Sequence, residues 1–127
     1  MLNYSIKVPI TIFHHEVVLI YADSLEDCSK IARESYSLDA NYNSAWLAVT
    51  EKHGNITTIL LPKDVYEKDS SVLVHETNHA AFNVVNYIGA RISNDTEEVI
   101  CYLQQYIYKE CKKFLDTIPT DALNSSE

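Results

Sequence analysis

Residues 72 to 85 read "VLVHETNHAAFNVV", and the period of this stretch decides what surrounds it. Leu73, Thr77, Ala80, Ala81, Val84, Val85 and Ile88 recur at helical spacing and collect on one side of a wheel. His75, His79 and Asn86 collect on roughly the opposite side. The spacing predicts a helix that buries one stripe and turns two imidazoles toward a cleft. Asp69 or Ser70 is the expected cap and Gly89 the expected C′ residue, for a helix of about five turns.

Two histidines four apart lie about 40° apart in azimuth, one turn above the other, so both can reach one metal ion. Glu76, on a neighbouring azimuth, is placed to accept a proton from metal-bound water and not to ligate. That is the physical content of H-E-x-x-H, with His75 and His79 as zinc ligands and Glu76 as general base. The positions between and after the histidines are uncharged or small (Thr77, Asn78, Ala80, Ala81), so no side chain competes for the metal or crowds the helix. A catalytic zinc requires a third protein ligand and an open position. Eighteen residues separate His79 from Glu98, giving H-E-x-x-H-(x)18-E. A short turn after Gly89 makes the helix "SNDTEEVICYLQQYIYKECKKFL" an antiparallel neighbour, capped by Asn94 or Asp95. Val99, Leu103 and Ile107 form its expected buried stripe. Glu98 beside that stripe is preferred over Glu97, which points about 100° away.

The pair "HETNH" and "NDTEEVICYL" resembles the zinc metallopeptidases of the gluzincin type. More narrowly, residues 5 to 113 resemble the short zincin-like proteins of tailed bacteriophages and prophages. The resemblance implies His75, His79 and Glu98 as ligands of Zn2+ and Glu76 as the catalytic base. The chain departs from related patterns at two places. Phe82 and Val85 stand where a metzincin has Gly and His, and Tyr102 stands where larger gluzincins carry Asp. Asp95, Asn83 or Asn86 would then have to orient the imidazoles. The implied fold is α+β, a minimal zincin-like single domain. In it a small antiparallel or mixed sheet packs on the H-E-x-x-H helix and the antiparallel helix that follows.

The remaining sequence fits that architecture. Residues 4 to 13 and 16 to 21 are β-branched and aromatic, and read as a hairpin turning near His14 and His15. "DSLEDCSKIARESY" reads as a helix capped by Asp23 or Ser24. Residues 44 to 51 and 56 to 61 read as a second hairpin about "KHGN", ended by Pro62. Residues 56 to 61 are the expected edge strand for an extended peptide. The domain is expected over 1 to 115, with a weakly ordered tail over 116 to 127.

Composition narrows the function. The chain has 127 residues, 46% of them hydrophobic, which suits one cored domain. A net charge of −8 argues against a nucleic-acid partner. No apolar run reaches membrane-spanning length, and no signal peptide is read at the N-terminus. The expected location is a host cytoplasm or a phage virion. Three cysteines without a C-x-x-C read as free thiols, with Cys101 and Cys111 as packed small hydrophobes. His14, His15 and His53 fall at turns and read as solvated. Tyr102 or Tyr87 is the candidate oxyanion donor. A deep specificity pocket is not expected in so short a chain.

The expected function is zinc-dependent hydrolysis of a protein or peptide substrate. The alternative is a virion structural or assembly protein, partnered by other phage structural proteins, in which the zinc site is structural or vestigial.

Overall fold

The computed structural model describes residues 3–43 and 45–119. The fold is mixed α+β: a four-stranded mixed sheet with helices on both faces. Strand β1 (Asn3–Ile10) passes through a single 3-10 turn at Thr11–Phe13 into β2 (His15–Ala22). Then follow α1 (Leu25–Tyr36), β3 (Val49–His53), β4 (Ile56–Pro62), α2 (Lys63–Lys68), α3 (Val72–Tyr87) and α4 (Asn94–Leu115).

The sheet order is β1-β2-β4-β3. Two antiparallel hairpins, β1/β2 and β3/β4, meet along a parallel ladder between β2 and β4. Each hairpin turns on residues that tolerate positive φ, His14 at 53° and Gly54 at 63°. A parallel pair needs a crossover, and the segment carrying α1 supplies it. Strand β4 is therefore interior, and the open edges are β1 and β3. The edge expected at residues 56 to 61 lies one strand outward, at β3.

Burial on both faces explains the composition of β2. Val17, Leu19 and Tyr21 join Ile59 and Leu61 under α3 and α4, whereas Val18, Ile20 and Ala22 join Leu60 under α1. Alternate side chains of one strand thus feed two cores, and a strand covered on both sides reads as a continuous apolar run. His15 begins this strand. It is 2% exposed, against the solvated turn position expected for it.

Local signals set the helix ends. Ser24 caps α1, its Oγ accepting from the Asp27 amide at 3.1 Å. Beyond Tyr87, Gly89 takes φ of 75°, and the amides of Gly89 and Ala90 donate to the carbonyls of Asn86 and Val85. This is a Schellman closure that satisfies orphan carbonyls. The cap of α4 is Ser93, one residue before the expected Asn94, in a capping box with Thr96. The short helix α2 was not expected: Pro62 ends the strand, but as an extended residue it also starts a helix. Asp69 Oδ1 then accepts from the amide and hydroxyl of Ser71 and fixes the entry to α3. Among the described residues no helix is long and apolar enough to cross a membrane.

Candidate functional site

Helix α3 carries the candidate residues, and its stripe lies as the wheel predicts. Leu73, Thr77, Ala80, Ala81, Val84 and Val85 are buried, while Ile88 at the end of the stripe is exposed. His75 and His79 face outward. Their Nε2 atoms stand 3.2 Å apart and their rings meet edge to face. Two nitrogens bound to one tetrahedral zinc at ordinary Zn–N lengths lie about 3.3 Å apart. The pair therefore has the span of one edge of a zinc tetrahedron.

Glu76 is 5% exposed. Its Oε1 accepts a 2.6 Å hydrogen bond from Thr50 Oγ1, and its Oε2 lies 3.9 Å from His75 Nε2. The sheet register explains how Thr50 gets there. Thr50 pairs with Ile59, whose side chain enters the core under α3, so Thr50 rises from the same face. Its neighbour Val49 pairs with Leu60 and points to α1. One residue of the edge strand thus anchors the carboxylate of the helix above it. Such a bond to an ionised acceptor is short and strong. Trp46, Ala48, Val49 and Thr50 close one side of the cleft, and His75, Glu76 and His79 close the other.

Helix α4 buries Leu103 and Ile107 of its expected stripe, but not Val99. Its buried stripe runs through Ile100, Leu103, Ile107, Cys111 and Leu115, and Val99 is exposed. Gln104 marks the azimuth that meets α3, its Nε2 donating to Thr77 Oγ1 at 3.3 Å. Glu97 lies two turns before Gln104 on nearly that azimuth, and Glu98 lies about 100° further toward solvent. Thr77 itself sits about 180° around α3 from the histidine pair. The imidazoles therefore point away from α4, and Glu98 is exposed on the far side of α3. Among the described residues no three His, Cys, Asp or Glu side chains gather as a metal-binding group. The structure brings together His75, His79 and Glu76, and leaves Glu98 and Glu97 apart from them.

The other expected participants also lie elsewhere. Tyr102 lines a groove between α4 and the 3-10 turn, and Tyr87 packs against the His15 ring at 5.2 Å between centroids. Neither lines the histidine cleft. Among the described residues no hydrogen bond joins Asp95, Asn83 or Asn86 to either imidazole. His15 Nε2 is 2.9 Å from Thr57 Oγ1, and burial holds its pKa below the usual imidazole value despite the neighbouring charge of Glu16. His53 pairs with Glu51 at 3.3 Å on β3.

No family model, curated protein or solved structure matches this chain.

The functional reading therefore rests on residues and geometry. Two features were missed in the sequence. Thr50 sits in an unremarkable strand, and its role depends on a contact across 26 residues of chain. Beside the histidines there is also a hollow of about 600 Å3 that includes Trp46, Val65 and Val72. Only the isolated Trp46 could have hinted at it.

Proposed function

We propose that this chain is a zinc-dependent peptide hydrolase with a minimal zincin-like fold, the reading suggested by its likeness to phage-encoded zincin-like proteins. One observation carries it: two imidazole nitrogens stand 3.2 Å apart, and beside His75 lies a buried carboxylate held by a single hydroxyl. A structural helix has no need of that arrangement, because both histidines are exposed and contribute little packing. The residues fit zinc in part. His75 and His79 would hold the ion. The third donor is proposed from the first turn of α4, Glu98 by its spacing and Glu97 as the carboxylate nearer the α3-facing azimuth. Neither lies beside the imidazoles, which point away from α4, so the titrations below decide whether either carboxylate contributes.

Bound zinc would acidify a coordinated water toward neutral pH. The protein's part is held in its own side chains. Glu76 Oε1 is occupied by Thr50, which leaves Oε2 on the His75 side as the oxygen free to take a proton. The free edge of β3 offers backbone donors and acceptors to an extended chain laid beside the cleft.

Metal analysis and zinc titration of the purified protein test the reading, together with peptide hydrolysis by the parent and by Glu76→Gln. One zinc per chain, lost in His75→Ala and in His79→Ala, with hydrolysis lost in Glu76→Gln, is the expected result. Titration of Glu97→Gln and Glu98→Gln then identifies the third donor. Protein that binds no zinc when prepared without chelators refutes the proposal.

A second reading is favoured by one feature, the exposed Ile12, Val99, Tyr102 and Tyr106 gathered along the groove beside α4. A large apolar patch of this kind marks a protein contact. In that reading the chain is an assembly component of a phage particle, and zinc binds without hydrolysis in either the parent or Glu76→Gln.

A further inference from the structure

The cleft at His75 and Glu76 does not close at Trp46. The same four residues, Trp46, Ala48, His75 and Glu76, line both the histidine cleft and the 600 Å3 hollow next to it, so the two are continuous. The hollow is apolar where it is formed by Trp46, Leu47, Ala48, Val65 and Val72, and polar at the rim, where Lys68, Asp69 and Ser71 meet water. Asp69 and Ser71 are bonded to each other and anchor the start of α3.

Two large apolar side chains stand in solvent on the lip, Trp46 at 50% and Leu47 at 69% exposure. Local bonding shapes the backbone that leads into them. Asn43 accepts from the Ala45 amide through its side chain and from the Trp46 amide through its carbonyl, both at 2.9 Å. An apolar concavity of this volume, rimmed by polar groups and adjoining reactive side chains, has the form of a small-ligand site. An aromatic residue at its mouth supplies a large apolar contact surface.

The strand geometry indicates what enters. β3 begins at Val49, immediately after the lip, and its outer edge is unpaired within the sheet. A chain paired along that edge directs alternate side chains to the face from which Thr50 rises, which is the side of Glu76 and the hollow. We propose that the hollow is a recognition pocket for one large apolar side chain of an extended peptide, of the Phe, Tyr or Leu class. That side chain lies next to the bond presented to His75 and Glu76, and Trp46 is the residue that sets the preference. The inference rests on the peptide-hydrolase reading for the nature of the ligand, and it is independent of the metal. A small side chain leaves most of the hollow unfilled and Trp46 in water. Discrimination per methylene in such pockets is about tenfold or more.

Trp46 is the only tryptophan in the chain, so its emission reports directly on the pocket. The metal-free full chain is titrated with acetyl-Gly-Phe-Gly-amide and with acetyl-Gly-Ala-Gly-amide. Expected is a saturable change in Trp46 emission with the Phe peptide and binding at least tenfold weaker with the Ala peptide. Leu47→Asp, an exposed position whose replacement leaves the core intact, weakens the Phe peptide at least tenfold. Trp46→Ala, followed by calorimetry with circular dichroism to confirm folding, removes the preference. Equal binding of the two peptides, no binding of either, or Phe-peptide affinity unchanged in Leu47→Asp overturns the proposal. The two readings fail separately. Zinc binding and hydrolysis without a Phe preference refute the pocket alone, and a Phe preference without zinc or hydrolysis refutes the hydrolase alone.

Discussion

Replacing Thr50 by valine keeps the shape of the side chain and removes one hydroxyl. That hydroxyl is 2.6 Å from Glu76 Oε1 and also lies 3.2 Å from the Glu76 carbonyl oxygen. A hydrogen bond to an ionised group contributes about 1.5–3 kcal/mol, and a buried acceptor left without its donor bears the desolvation cost. The Glu76 side chain is 7% exposed, so most of that cost applies. Water entering from the cleft, where His75 is 68% exposed, offsets part of it. The expected loss is therefore at the lower end, about 1.5–2 kcal/mol. Urea unfolding followed by circular dichroism measures it, and the slope should not change, because the surface exposed on unfolding does not. In a Glu76→Gln background the acceptor is neutral and the same substitution should cost about 1 kcal/mol less. A loss under about 0.5 kcal/mol, or the same loss in both backgrounds, would show that Thr50 and Glu76 are neighbours without being coupled.

Two further predictions test the cores. Burial lowers the His15 pKa below 6.5, so the unfolded chain binds that proton more readily, and stability falls as pH drops below about 6.5. Unfolding free energies of the parent measured between pH 7 and pH 5 should fall more steeply than those of His15→Phe; parallel slopes would refute the assignment. Burial pushes the Cys28 and Cys111 thiols up to about 12, whereas Cys101 is exposed. An iodoacetamide pulse at pH 8 should then label Cys101 alone, as read by peptide mass spectrometry, and all three after unfolding in urea.

The legible parts of this chain are those governed by local rules. The α3 stripe from Leu73 to Val85, the Gly54 turn, the Ser24 cap and the Gly89 closure depend on period and backbone freedom, and both are written in neighbouring residues. Errors came where a choice between adjacent residues depends on a distant partner. Val99 and Ile100 suit a buried stripe equally, and packing against β1 and α3 selects Ile100. Glu98, five residues before Leu103 and so about 140° around the helix from it, stands in solvent. His15 reads as a turn residue, but the parallel ladder places the strand it begins in the interior of the sheet. Cys101, expected to be packed, is exposed, since the α4 stripe passes it by. Thr50 and Trp46 acquire their roles only when β3 is brought under α3. The expected tail is described only to residue 119, and residues 120 to 127 lie outside the described part.

The way the two hairpins join bears on how the molecule assembles. Each can zip from its own turn, since Ile10 lies opposite His15 and His53 opposite Ile56. Their union cannot, because Glu16 must find Ile56 across the whole of α1 and the loop after it. Closing that long loop before the ladder forms should set the folding rate. The cleft lies on β3, beyond that seam from β1 and β2. Shortening the α1–β3 connection should therefore speed folding, but it would draw on the same loop that carries Trp46.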